Sequence, residues 1–188
     1  MKNQELWRES VVRTRRGHLV PNIASPRSTS VGSLHVLRLN AAAHEQAIRE
    51  HCRGRLLDLG CGRAPYYGLY RDYADGIVCL DWPNSPHDVS HADIMANLAE
   101  PLPIDKHEFD TVLLTQVLEH IPNPIDLFTE MSRVLRPGGK IIVSVPFYYC
   151  IHESPFDYYR YTEHALAHLC QNAGLRVCLL KPLGGGAV

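Results

Sequence analysis

The sequence predicts an α/β protein with a mainly parallel, twisted sheet and helices on both faces, in three layers. Three observations carry this. Four short runs at 55–59, 77–81, 110–114 and 140–145 are rich in Leu, Ile and Val and lack strict polar alternation, as strands covered on both faces do. Helical stretches alternate with these runs, and alternating β and α units pair their strands in parallel. The first run ends in a glycine-bearing turn, Leu59-Gly60-Cys61-Gly62, where the chain must leave a strand and enter a helix.

Taken in order, residues 1–33 mix Arg, Ser and Pro without sustained periodicity and are punctuated by Pro21-Asn22 and Ser25-Pro26-Arg27-Ser28. They are expected to form an arm, partly mobile without ligand, ahead of a single domain over 34–188. Val36, Leu39, Ala43 and Ala47 recur at three- and four-residue spacing and predict an amphipathic helix over 34–50. A second helix is expected over 63–73, and a short third strand after Val89, at Asp93-Ile94. A third helix is expected over 124–135, with Asn123 as N-cap, Pro124 at its first position and Pro137-Gly138-Gly139 closing it. A last helix over 162–172, capped by Thr162 and stopped by Gly174, should lead into a strand over 175–180.

Composition narrows the function classes. The 188 residues are enough for one domain with a real core, and the 45% apolar and 21% charged fractions are those of a globular chain. No apolar run is long enough to cross a membrane and no secretory leader is recognisable, so the default location is cytoplasmic. The six cysteines form no C-x-x-C pair, which argues against a structural zinc or disulfide framework. The net charge is −1, and Arg13, Arg15 and Arg16 form either a solvated face or a small anion-binding patch.

The site chemistry is read motif by motif. In Leu57-Asp58-Leu59-Gly60-Cys61-Gly62 the glycines allow a ligand to approach the backbone, but Pro65 replaces the third glycine of a dinucleotide fingerprint. An Asp58 carboxylate suits a pyrophosphate poorly. It suits S-adenosylmethionine, which carries an ammonium group and a sulfonium and no phosphate. Asp81 closes the second run 21 residues beyond Gly60, the spacing at which an acidic residue meets two ribose hydroxyls. Trp82 is placed to lie against an adenine ring or to pack, and Asp93 with Ile94 to meet the adenine amino group or to cap a turn. Gln116 and Val117 follow the third long run, at the carboxyl edge where open α/β sheets bind ligands.

Together with Phe109-Asp110-Thr111-Val112, Val117-Leu118-Glu119-His120-Ile121 and Leu135-Arg136-Pro137-Gly138-Gly139, these motifs resemble class I S-adenosylmethionine-dependent methyltransferases of the type-11 group, over residues 50–180. The resemblance implies a Rossmann-like sheet of order 3-2-1-4-5-7-6, with S-adenosylmethionine as cofactor. The final antiparallel strand of that order is expected to be missing here.

The acceptor is expected to be a small molecule. The segment 146–162 holds five of the nine tyrosines and is either an acceptor pocket or a packed loop. It resembles the corresponding loop of bacterial members associated with glycans and secondary metabolites, which favours a saccharide or secondary metabolite. Transfer from a sulfonium is an in-line displacement that needs alignment and exclusion of water. For a hydroxyl acceptor, His152 and His120 are the candidate general bases. Some relatives bind a divalent metal through Glu-x-x-Glu-His, but Gln116 stands at the first of those positions, so no metal site is expected. A nucleic-acid methyltransferase is disfavoured, because 115–119 reads Thr-Gln-Val-Leu-Glu instead of an Asn/Asp-Pro-Pro-Tyr motif. A binding or scaffold protein without turnover is the remaining alternative, against which the intact Asp58, Gly60, Gly62 and Asp81 count.

Overall fold

The computed structural model describes residues 1–22 and 31–184. The chain opens with a short 3-10 turn at Gln4–Leu6 and an antiparallel hairpin of β1 (Val12–Arg15) and β2 (His18–Pro21). Residues 1–22 are thus not a loose arm. Met1, Val12 and Leu19 are buried in the core, and Trp7 stands edge-on to Tyr67 at 5.1 Å while its indole N–H donates to the Ala64 carbonyl (3.0 Å). Apolar burial and this hydrogen bond outweigh the polar composition that reads as a loop. The Ser25 to Ser28 stretch of the expected arm lies outside the described residues.

Helix α1 (Val31–His51) has the expected position, but its inward stripe is Ala41, His44 and Ile48, and Val36 is exposed. The sequence places the stripe one position away because His44 reads as a surface residue. Its imidazole is buried against Asn40 O (2.6 Å) and Ser144 Oγ (2.8 Å), which satisfies its polar atoms and permits burial.

Strand β3 (Arg55–Leu59) is buried from its second residue on. It pairs in parallel with β4 (Gly76–Asp81) on one side and β6 (Phe109–Thr115) on the other. Beyond them lie β5 (Ile94–Met95) and β7 (Leu135–Ser144), giving the order β5-β4-β3-β6-β7. Helix α2 (Tyr67–Tyr70) is shorter than expected, because the segments flanking it make tighter turns such as Tyr73 N to Tyr70 O (3.0 Å). Helix α3 (Pro124–Val134) starts at Pro124 as expected, although the Asn123 side chain makes no capping bond. The Pro137-Gly138-Gly139 stretch lies within β7, as a bulge. Leu135 pairs with Phe109 and Lys140 with Thr111, so four residues on one strand face a single one on the other.

Leu56 of β3 faces α1 and α2, while Leu57 and Leu59 face α3 and α4 (Glu163–Asn172), through Phe128, Met131 and Leu169. This is the three-layer arrangement. Helix α4 is capped as expected, Thr162 Oγ1 accepting the Ala165 amide (3.2 Å), and stops at Gly174 with φ +69°. The expected strand over 175–180 does not form. In the order 3-2-1-4-5-7-6 a sixth strand bonds only to the seventh, and the described residues supply no seventh strand. Leu179 and Leu180 are left exposed.

Candidate active site

A continuous cleft runs along the carboxyl edge of the sheet, bordered by Gly60, Gly62, Asp81, Gln116, His120 and His152. At one end, the turn after β3 is bonded to the end of β4: Gly60 N donates to Leu80 O (2.8 Å) and Gly62 N to Asp81 Oδ2 (2.6 Å). Gly60 has φ +66°, and a Cβ there would stand 2.5 Å from Val117 Cγ2, so only glycine lets Val117 close against the turn. A Cβ at Gly62 would meet nothing nearer than His87 at 3.9 Å, which leaves space above the turn for a ligand.

The Asp81 carboxylate accepts the Gly62 amide on one oxygen and the Trp82 amide (2.7 Å) on the other. A carboxylate accepts about four hydrogen bonds, so Asp81 keeps capacity for a pair of ligand hydroxyls. Trp82 borders the same cleft and stands edge-on to Phe156 of the aromatic loop at 5.2 Å. Cys61, within the turn, borders the cleft while its side chain packs into the core.

Two expected contacts are not brought to the cleft. Asp58 alternates with Leu57 and Leu59, so its carboxylate faces away from α3 and is buried under the turn, where it accepts the Tyr70 hydroxyl (2.8 Å). Burial pushes the Asp58 pKa up to about 7. Asp93 accepts the Cys79 amide (2.8 Å) and pairs with the Met1 ammonium (3.0 Å), while Asp93 and Ile94 line a separate shallow depression. Residues 97–99 border the main cleft in their place. Asp93 precedes β5, and its bonds to the Cys79 amide and the Met1 ammonium engage its carboxylate, a pairing for which a single sequence holds no signal.

Three polar residues, Gln116, Ser144 and His44, meet along the cleft. Gln116, at φ +55°, donates its side-chain amide to Ser144 Oγ (3.2 Å) and its backbone amide to Ser144 O (2.9 Å). Ser144 also meets His44 Nε2, and burial lowers the His44 pKa and so favours the neutral ring. Neither Ser144 nor His44 stands out in the sequence, because they are 100 residues apart and meet only through packing of α1 on β7.

At the other end the loop after β7 folds over the residues that follow β6. Tyr158 and Tyr159 amides bond to Glu119 O (2.9 and 3.3 Å), and Tyr161 donates its hydroxyl to Leu118 O (3.2 Å). This joins His152 to His120, their rings edge-to-face at 4.8 Å. Arg160 holds Asp157 with both arms (2.6 and 2.8 Å) and keeps its carboxyl well below the usual range. Asp157 in turn accepts the His152 amide (2.9 Å) and lies 3.2 Å from His152 Nδ1. Between the two rings is Glu119, fully enclosed, with its pKa raised to about 7 by burial. Against the expectation of no metal site, Glu119, His120 and His152 offer ligand atoms within 4.8 Å of one another. The signal for Glu119 is its acidic side chain, with His120 beside it, between the apolar pairs of the Val117-Leu118-Glu119-His120-Ile121 stretch and Pro122. Phe147, Tyr148, Tyr149 and Ile151 stand exposed beside this end.

A family model described as a methyltransferase domain matches residues 35–180. A probable S-adenosylmethionine-dependent methyltransferase of Mycolicibacterium smegmatis is 36% identical over 110 residues, which are 54% of this chain and 42% of that protein. A ubiquinone biosynthesis O-methyltransferase of Dechloromonas aromatica is 28% identical over 48% of this chain and 43% of that protein. The chain thus spans less than half the length of these curated relatives. Among solved structures, a SAM-dependent methyltransferase from Aquifex aeolicus superposes with a TM-score of 0.58 at 15% identity, over 74% of this chain and 83% of that one, a likeness of fold.

Proposed function

The chain belongs to the methyltransferase-domain family, and from that premise we propose that it moves a methyl group from S-adenosylmethionine to a hydroxyl of a small ring-shaped acceptor, a saccharide or a secondary metabolite. The observation that carries this reading is one cleft with two chemically different ends. The glycine turn and Asp81 form one end, and the paired imidazoles of His120 and His152 the other.

The residues present fit the cofactor. The open space above Gly62 admits a ligand against backbone, and Asp81 retains lone pairs for a ribose diol. Trp82 offers a ring face to the adenine, and Gln116, Val117 and Ser144 border the path toward the methionine end. Asp58 acts from beneath the turn, as a buried carboxyl whose ionised form a cationic ligand overhead favours. When bound, S-adenosylmethionine supplies a methyl group on a sulfonium, whose C–S electrons stay on sulfur as the acceptor lone pair forms the new bond.

The chain's own contribution is alignment and proton handling. His120 Nδ1 faces the Phe156 carbonyl (2.8 Å) and His152 Nδ1 faces Asp157, so both rings carry their proton on Nδ1 and present Nε2 as a lone pair. Either Nε2 can take the proton of an acceptor hydroxyl, and Asp157 stabilises the imidazolium of His152. The flat, hydroxyl-tipped rings of Tyr148, Tyr149 and Tyr158 beside it suit a hydroxylated ring. The relative that acts in ubiquinone biosynthesis, named as an O-methyltransferase, supports oxygen as the acceptor atom.

Isothermal titration with S-adenosylmethionine and with its demethylated product tests the cofactor half. Micromolar binding of both is expected, and no binding by a folded sample would overturn it. Labelled methyl transfer to a panel of phenols and sugars tests the acceptor half, with product expected from at least one. Transfer only to nucleic acid, with a gel shift that falls steeply with salt, would replace it.

A further inference from the structure

We propose that His44 and Ser144 are positioning residues of the cleft. They fix the Gln116 side-chain amide with its N–H group inward and its carbonyl oxygen toward the ligand, as an acceptor for an ammonium group. This role rests on the cofactor reading above, in which the methionine half of S-adenosylmethionine passes Gln116.

The hydrogen-bond directions from Asn40 to Gln116 have one solution. The Asn40 carbonyl oxygen can only accept, and it lies 2.6 Å from His44 Nδ1, so Nδ1 carries a proton. His44 is 3% exposed and burial disfavours its charged form, which leaves the ring that single proton and makes Nε2 a lone pair. Ser144 Oγ, 2.8 Å from Nε2, therefore donates its only hydrogen to it. The hydroxyl oxygen keeps lone pairs alone, so the part of Gln116 that stands 3.2 Å from it is the amide nitrogen and not the carbonyl. A planar amide held in this way turns its oxygen from Ser144, on an exposed residue that borders the cleft.

Packing holds this network in place. Tyr66 stacks on His44 with ring centroids 4.5 Å apart, and its hydroxyl stands 3.0 Å from Nδ1, where it shares the same proton. Gln116 has φ +55°, a left-handed conformation that few residues other than glycine adopt, and its backbone amide donates to Ser144 O (2.9 Å). Backbone and side chain of Gln116 are thus both tied to one residue, next to the point where Val117 closes on Gly60. A carbonyl oxygen accepts and cannot donate, so it attracts an ammonium with its three N–H donors and repels a carboxylate. The direction of the amide thereby sorts the two charged groups at the amino-acid end of the ligand.

Titration calorimetry with S-adenosylhomocysteine and with its deamino analogue, in which hydrogen replaces the ammonium, tests this role. Ser144→Ala removes the donor to His44 and frees the Gln116 amide to rotate. It should weaken S-adenosylhomocysteine about 10-fold and the analogue less than about twofold. Ser144→Thr, which keeps a hydroxyl, should restore the wild-type difference. Equal weakening of both ligands in Ser144→Ala would make Ser144 a structural residue only and overturn the positioning role. Nitrogen NMR of the ligand-free wild-type chain reads the tautomer without any variant. A protonated Nδ1 and a bare Nε2 at His44 are expected near neutral pH, and the opposite tautomer or an imidazolium would overturn the network. Binding of neither ligand by folded wild-type chain would overturn the cofactor reading, and with it the ammonium as the ligand group.

Discussion

At the scale of single residues, Asp81 ties the glycine turn after β3 to the end of β4 and is the proposed cofactor contact. It holds the Gly62 and Trp82 amides and keeps lone pairs for a ligand diol. Hydrogen bonds to a charged group contribute about 1.5–3 kcal/mol each, so Asp81→Ala should weaken S-adenosylmethionine binding by roughly 100-fold or more. Titration calorimetry measures this, and an unchanged circular dichroism spectrum shows that the sheet persists. Asp81→Asn keeps an acceptor for one amide without the charge and should fall between the two. Unchanged affinity in Asp81→Ala would remove the residue from the site. Asp58 presents the same chemistry in the sequence, but one residue of strand alternation turns it from the cleft to the Tyr70 hydroxyl.

At the scale of elements, the cap and stop of α4 and the acidic end of β4 followed from local rules, and docking did not. Thr162 and Gly174 bound α4 because their preferences act over a few residues. Thr162→Ala should destabilise the chain by about 1 kcal/mol, read as a lower midpoint of urea unfolding with an unchanged slope. A change in slope instead would mean that α4 is not part of the cooperative unit. The hairpin of β1 and β2 is the opposite case. Its strands are four residues each, and its place is fixed by Trp7 against Tyr67 and by Glu45 Oε2, which accepts the Leu19 amide (2.7 Å). Those partners are distant in sequence, so composition alone reads a loop.

At the scale of the whole molecule, two buried carboxyls set the response to pH. Asp58 and Glu119 are both pushed up to about 7 from ordinary values of 3.8 and 4.5, by burial first. Between roughly pH 4 and 7 the folded chain therefore binds more protons than the unfolded one. Stability is fully present below the unfolded values and falls as pH rises through that window. His44, whose pKa is lowered by burial, opposes this with one proton against two. In the presence of a chelator, thermal melts should show a lower Tm at pH 7.5 than at pH 5. Asp58→Asn should remove on the order of 2–4 kcal/mol of that decline. A Tm that rises across the window, or an unchanged slope in the variant, would show that Asp58 ionises freely.

The sequence by itself determined the alternation of strands and helices, the glycine turn after β3, the acidic end of β4 and the caps of α4. Each of these depends on residues close together, whose hydrophobic period or backbone preference acts locally. The tertiary structure alone decided which partners Asp58 and Asp93 engage, that His44 is buried against Ser144, and that residues 1–22 pack onto α1 and α2. It also decided that Glu119, His120 and His152 converge. Those outcomes hang on strand register and on chain segments brought together across tens of residues. Their free energy comes from burial and from satisfying polar groups once buried, which no local window contains.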